Sequence, residues 1–243
     1  MLDDPKTLEI PHAFDPKDVI AARVAQEVKP GMLVNLGIGL PSRVADFLTD
    51  VEDVFFQAEN GVIGLGARPP EGMEDPYLTD AGGGFVSAVP GAASIDSAMS
   101  FGLIRGGHLD MTILGGLEVD ARGFLANWTV PGKMVPGMGG AMDLVAGARR
   151  VVVAMTHTAR GKSKVKTICD LPLTALRRVD LIVTELAVIE PTDDGLCLRE
   201  LGPGVSLDAV CRATDADLIV DGELHEMTLD LRTLRERLPE SAT

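Results

Sequence analysis

Glu59 follows an apolar run from Val54 to Ala58 and precedes glycines at 61, 64 and 66, in a stretch that reads QAENGVIGLG from Gln57 to Gly66. A carboxylate at the carboxyl end of a buried strand stands where open parallel sheets bind their ligands, and glycines beside it let a ligand approach the backbone closely. The plainer alternative is a turn whose glutamate is solvated or caps nearby amides. A second segment, Val130 to Asp143 (VPGKMVPGMGGAMD), sets Gly137, Gly139 and Gly140 just ahead of an expected helix. Amides in that arrangement can form a nest for an anion; the alternative is a flexible connection. The third segment is Gly37-Ile38-Gly39. Ser42 occupies the position that a dinucleotide fingerprint gives to its third glycine, so a tight turn is the reading there.

The remaining chemistry-bearing residues form weaker sets. His12, His108, His157 and His225 are scattered, and Cys169, Cys197 and Cys211 make no CxxC pair, so no metal site is expected. No G-x-S-x-G elbow or Walker loop occurs. Arg160, Lys162, Lys164 and Lys166 read as a solvated loop more than a phosphate site. Arg105 and His108 flank Gly106-Gly107 and read as the end of a helix. Trp128 reads as a packing anchor in a glycine-rich region.

These segments must be held by alternating strands and helices. Asp15-Pro16 signals a helix start, Ile20, Val24 and Val28 recur every four residues, and Pro30-Gly31 ends the pattern. Strands are expected at 32–36, 54–58, 109–114, 151–155, 179–184 and 218–220. Helices are expected at 41–48, 92–104, 141–148, 173–178, 207–212 and 226–238, with loops and a short hairpin between 64 and 90. Such alternation predicts an α/β fold with an open, mainly parallel sheet covered on both faces. Residues 1–14 are expected to be a flexible arm, and 15–240 a single domain.

Composition narrows the function. An apolar fraction of 46% with 24% charged residues suits a soluble enzyme, and the 27 glycines with 4% aromatics favour tight turns around an aliphatic core. A net charge of −14 argues against nucleic acid and against an acidic membrane surface. No apolar stretch approaches the ~20 residues needed to cross a bilayer. The opening residues are acidic and polar, unlike a signal or transit peptide, and the odd cysteine count fits a reduced compartment, so a cytoplasmic location is expected.

At these same segments the sequence resembles the β subunit of family I coenzyme A transferases of the acetoacetate and 3-oxoacid type. VNLGIGLP (34–41), ENGVIGLG (59–66), SFGLIRGGH (100–108), LANWTVPGKMVPGMGGAMDL (125–144), LPLTA (171–175) and VTELAV (183–188) follow in the family's order, across roughly residues 17 to 220. The resemblance implies the open three-layer sheet shared with ribose-phosphate isomerases and glucosamine-phosphate deaminases. It implies that Glu59 is the nucleophile and that Gly140, with Gly139 beside it, supplies the oxyanion-binding amide. Asn60, Gly61, Gly37 and Gly39 would line the substrate and CoA site.

The implied reaction moves CoA from an acyl-CoA to a short carboxylic acid through a glutamyl-CoA thioester, with the CoA thioester as substrate and no further cofactor. The implied partner is a separate α subunit, in an α2β2 assembly. Acetoacetate with succinyl-CoA or acetyl-CoA is the first expectation; 3-oxoadipate and short fatty acids stay open. Ala58 stands where the family usually has Ser, Asp80 where it has Asn, and Thr156 where it has Glu. Those departures bear on acceptor choice. Two alternatives remain: an acyl-CoA hydrolase on the same fold, and a non-catalytic ligand-sensing subunit.

Overall fold

Asp15 starts the first helix as its position before Pro16 predicts. In the computed structural model, which describes residues 14–48, 51–132, 139–229 and Leu234, helix α1 spans Pro16–Ala25. The Asp15 carboxylate accepts the Lys17 amide at 2.9 Å, and Val19, Ile20 and Val24 are fully buried. The chain continues as β1 (Leu33–Leu36), a 3-10 helix (Pro41–Phe47), β2 (Phe55–Gln57), β3 (Val62–Leu65), β4 (Ala88–Ser94), α2 (Ser97–Arg105), β5 (Met111–Leu114), β6 (Glu118–Asp120), β7 (Leu125–Ala126) and α3 (Ala141–Gly147). Then come β8 (Arg150–Ala154), β9 (Thr158–Ala159), β10 (Lys162–Ser163), β11 (Val165–Lys166), β12 (Leu181–Val183), β13 (Ala187–Pro191), β14 (Leu196–Leu201), α4 (Leu207–Ala213) and β15 (Leu218–Glu226). Among the described residues no helix is long and apolar enough to cross a membrane.

Ten strands form one sheet in the order β15-β14-β13-β12-β8-β5-β1-β2-β3-β4. Its centre, β12-β8-β5-β1-β2, is parallel throughout. Antiparallel pairs extend it to β3 and β4 on one side and to β13 and β14 on the other, where β15 adds in parallel. Consecutive residues of a central strand serve opposite cores, as a pleated strand buried on both faces must. Val151 and Val153 pack with Ile104 of α2, Leu144 of α3 and Val210 of α4. Val152 and Ala154 pack with Ile20 and Val24 of α1 and Val44 of the 3-10 helix. The three layers follow from this alternation. Of the two outer strands, β4 is largely exposed and carries Pro90 and Gly91, and β15 exposes Asp221, Glu223 and Glu226.

Four local expectations change. The helix at 41–48 is a 3-10 helix, tightened by Arg43 N donating to Leu40 O three residues back. Residues 92–94 belong to β4, and α2 starts only after Asp96, whose carboxylate accepts the Met99 amide at 2.8 Å. No helix forms at 173–178. There the backbone bonds outward instead, Thr174 N to Leu125 O and Val179 N to Gly123 O, while Arg177 caps the carbonyls of Val145 and Ala148 at the end of α3. The strand expected at 218–220 runs on to Glu226. Of the arm expected at 1–14, only Phe14 lies among the described residues; of the helix expected at 226–238, only 226–229 and Leu234 do.

Candidate active site

Glu59 sits at the tip of the turn that reverses β2 into β3. Ala58 N donates to Val62 O and Gly61 N to Ala58 O, both at 2.9 Å, which leaves Glu59 and Asn60 as the turn's two projecting residues. Gly61 holds the turn against the following segment, with φ +116° and Ile95 N donating to its carbonyl. A Cβ at that position would lie 2.0 Å from Ile95 O, so no side chain fits. Gly61→Ala is therefore expected to destabilise the chain by roughly 3 kcal/mol, lowering Tm by about 6–12 °C in a thermal melt. A Tm within 2 °C or so of wild type would contradict this geometry.

The turn places the Glu59 carboxylate against Gly140, distant in sequence. A Cβ built on Gly140 would lie 3.1 Å from Glu59 Cγ and 3.3 Å from Oε1. Gly140 is buried and caps the start of α3, and its carbonyl accepts Leu144 N at 2.9 Å. Gly139, at φ +51°, is exposed beside it, and Gly137 lies outside the described residues. Glu59 itself is half-buried and Asn60 exposed. A carboxylate lying beside the backbone of a helix cap can be reached by a ligand from outside the sheet's carboxyl edge.

The other glycine pair lines the same edge. Gly37 N donates to Ile113 O at 2.8 Å, extending the ladder of β1 and β5 by one bond. Gly39, at φ +86°, faces open space while Ser42 Oγ bonds its carbonyl. Asn60 does not reach Glu59's neighbours in the sheet; its Nδ2 donates to Thr79 O at 2.8 Å. That bond ties the turn of Glu59 to the loop 79–85, which Asp80 folds by accepting the amides of Gly82 and Gly84 at 2.8 Å. Gly82 in turn lies against Ile38, which is 72% exposed. Asp80 thus folds the loop to which the turn of Glu59 is bonded.

Sequence reasoning misses the polar residues beneath Glu59. Asn35 on β1, Gln57 on β2 and Thr112 on β5 occupy one row, with Asn35 paired to both others across the parallel ladder. Asn35 Nδ2 lies 3.0 Å from Gln57 O, 3.1 Å from Gln57 Oε1 and 3.3 Å from Glu59 Oε2. Thr112 Oγ1 donates to Asn35 Oδ1 at 3.1 Å, and Gln57 Nε2 donates to Ser100 Oγ on α2 at 2.8 Å. All four are at most 1% exposed. A signal exists in the sequence, since each of the three strand residues interrupts an apolar strand, and polar groups enter a two-sided core only when bonded.

The remaining candidates have structural employment. Glu118 accepts the amides of Asp170 and Leu171, and Glu185 accepts the His157 amide at 2.9 Å. Arg105 pairs with Asp143 and so ties α2 to α3. The basic run is dispersed: Lys166 pairs with Asp215 and Asp170, whereas burial pushes the Lys164 ammonium down to about 8, against the favourable charge of Glu185. Trp128 Nε1 donates to Leu173 O, which fits an anchor.

His157 is fully buried, and burial, with Lys164's charge adding to it, lowers its pKa to about 4; both ring nitrogens meet threonine hydroxyls, of Thr184 and Thr214, at 2.9 Å. An unfolded histidine titrates near 6.5. Between pH 6.5 and 4 the unfolded chain therefore binds a proton that the folded one does not, and stability falls with falling pH by up to about 3 kcal/mol. Urea unfolding across that window should show this slope flattened in His157→Gln. An identical slope in the variant would contradict the assignment.

Comparison with known proteins adds an independent line. A family model described as coenzyme A transferase matches residues 17–213. The beta chain of the acetate CoA-transferase of Escherichia coli (strain K12) is 50% identical over 219 residues, covering 90% of this chain and 100% of that one. One subunit of the succinyl-CoA:3-ketoacid coenzyme A transferase of Helicobacter pylori (strain ATCC 700392 / 26695) is 50% identical over 205 residues, covering 84% of this chain and 99% of that one. Among solved structures, the acyl-CoA transferase YdiF apoenzyme from Escherichia coli O157:H7 superposes with a TM-score of 0.72 at 26% identity, over 94% of this chain. This chain spans only 45% of that one.

Proposed function

The chain belongs to the coenzyme A transferase family, and from that premise we propose that Glu59 is the nucleophile of a CoA-transferase subunit that moves CoA between an acyl-CoA and a short carboxylic acid. The observation that carries this reading is the contact between Glu59 and Gly140, which sets a carboxylate beside a helix-cap backbone at the carboxyl edge of the sheet.

A carboxylate attacks as the nucleophile itself and needs no general base to remove a proton first. Its oxygen adds to the thioester carbonyl, the C–S bond breaks, and an acyl–glutamyl anhydride forms with release of CoA thiolate. The thiolate then adds to the glutamyl carbonyl, and the donor acid leaves as a carboxylate carrying that glutamate oxygen. CoA remains on Glu59 as a thioester, from which an acceptor carboxylate recovers it by the reverse steps. Each addition develops an oxyanion, and the amides at Gly139 and Gly140 are the donors proposed for it, a contribution of about 3–4 kcal/mol for one such donor. Asn60, Gly61, Gly37 and Gly39 form the surrounding walls for substrate, and Asp80 and Ile38 shape the acceptor side.

The partner proposed is a separate α subunit, in an α2β2 assembly, because the E. coli and H. pylori relatives are themselves named as subunits and YdiF carries more than twice this length in one chain. With a net charge of −14, this chain has few groups for CoA phosphates, and the partner would provide most of them. The acyl acceptor is proposed to be a 3-oxo acid such as acetoacetate; acetate is the competing choice, since the two 50% relatives divide between them. Mass spectrometry of products from the co-purified complex, offered an acyl-CoA and a panel of short acids, tests the reading. Transfer makes a new acyl-CoA from one of the acids. Release of CoA without a new acyl-CoA would instead identify a hydrolase, and binding without turnover a sensor.

A further inference from the structure

We propose that Thr112, which never touches Glu59, positions the nucleophile by fixing the side-chain amide of Asn35; the inference rests on Glu59 being that nucleophile. A carboxamide has one donor end and one acceptor end, and its neighbours decide which way it faces. Asn35 Nδ2 faces Gln57 O and Glu59 Oε2, and a carbonyl and a carboxylate can only accept. The donor end of Asn35 is thereby directed at the active-site turn, and Oδ1 points away from it, toward Thr112 Oγ1 at 3.1 Å. Asn35 and Thr112 are both fully buried, and this hydroxyl is the donor the structure gives to Oδ1.

Two N–H groups of Asn35 serve three acceptors, because Gln57 Oε1 also lies 3.1 Å away. The amide's hold on Glu59 is the longest of the three, so a small rotation is enough to lose it. Gln57 is kept in its own orientation by the bond from Nε2 to Ser100 Oγ. Thr112 anchors the opposite end of the relay, and it is the link whose removal leaves a buried acceptor with nothing to hold it. Without that hydroxyl, Asn35 is free to rotate and Glu59 loses the amide that sets its carboxylate toward Gly140.

The test compares Thr112→Val, which keeps the shape and loses the donor, with Thr112→Ser, which keeps the donor, in the complex with its partner subunit. Thr112→Val is expected to lower kcat about 10- to 100-fold with KM for acyl-CoA changed less than about threefold, since a misplaced nucleophile affects the attack and not the binding. Thr112→Ser is expected to recover activity to within about threefold of wild type. If Thr112→Val fails to fold, Thr112→Cys, a weaker donor of similar size, takes its place with the same readouts. Activity of Thr112→Val within twofold of wild type, a loss confined to KM, or Thr112→Ser as impaired as Thr112→Val would each overturn the proposal. Glu59→Ala is assayed beside them: normal exchange there would sink the nucleophile assignment itself, a result separable from any outcome at Thr112.

Discussion

Incubated with an acyl-CoA and its partner subunit, without acceptor acid, the chain is expected to gain the mass of one CoA, and peptide mapping should place the adduct between Phe55 and Arg68. Hydroxylamine should then remove the CoA and leave the enzyme inactive, because it converts the glutamyl thioester to a hydroxamate. Glu59→Ala should lose both adduct and exchange, by about 10⁴-fold or more, since the proposed chemistry passes through a bond to that side chain. Glu59→Asp should fall by at least about 10²-fold, because one methylene less withdraws the carboxylate from Gly140 and from Asn35. Glu118 and Glu185 provide internal controls. Both end apolar runs, yet each already accepts backbone amides elsewhere, so neither should be labelled. An adduct on either would refute the assignment of Glu59.

The second large effect is expected at Gly140. Its φ of −82° with ψ 0° lies outside the left-handed region, so Gly140→Val should strain the backbone less than a side chain at Gly61 does. The new Cβ would meet Glu59 Cγ at 3.1 Å, and the valine methyls extend further. Glu59 must then turn out of its position, and a shift of about 1 Å at a reacting atom costs about 10²-fold. We expect kcat to fall by about 10²–10³-fold, by that estimate and by the effect of a disturbed oxyanion donor. A loss appearing only in KM would show that this glycine serves binding and not the transition state.

The central strands are legible because each is a short apolar run between glycines or prolines, and a parallel strand buried on both faces writes itself that way. The antiparallel hairpin of β13 and β14 is not read from the same pattern, although Thr192 to Gly195 mark its turn. The helix expected at 173–178 shows the limit of periodicity: Leu173 and Leu176 have helical spacing, but Leu176 is 83% exposed and the backbone there is held by β7. Glu59 and Gly140 come from motif resemblance, whereas their contact comes from the fold alone. No rule of local spacing brings a hairpin tip to a helix cap so far along the chain. The Asn35, Gln57 and Thr112 row is written in the sequence as three polar interruptions, yet only the register of β1, β2 and β5 turns them into one relay.

The two outer strands carry a further consequence, for life at high concentration. A sheet of ten strands ends in two rows of backbone groups that could template a neighbouring molecule. On β4 the row is interrupted where Pro90 lacks an amide and Gly91 adopts φ +87°, and on β15 it is screened by Asp221, Glu223 and Glu226. The same acidity that leaves this chain poor in phosphate-binding groups guards it against sticking to its own copies before a partner arrives. Pro90 therefore belongs to the history of the chain between ribosome and assembly, and a variant there would be felt first as insoluble protein, with the chemistry of the finished enzyme intact.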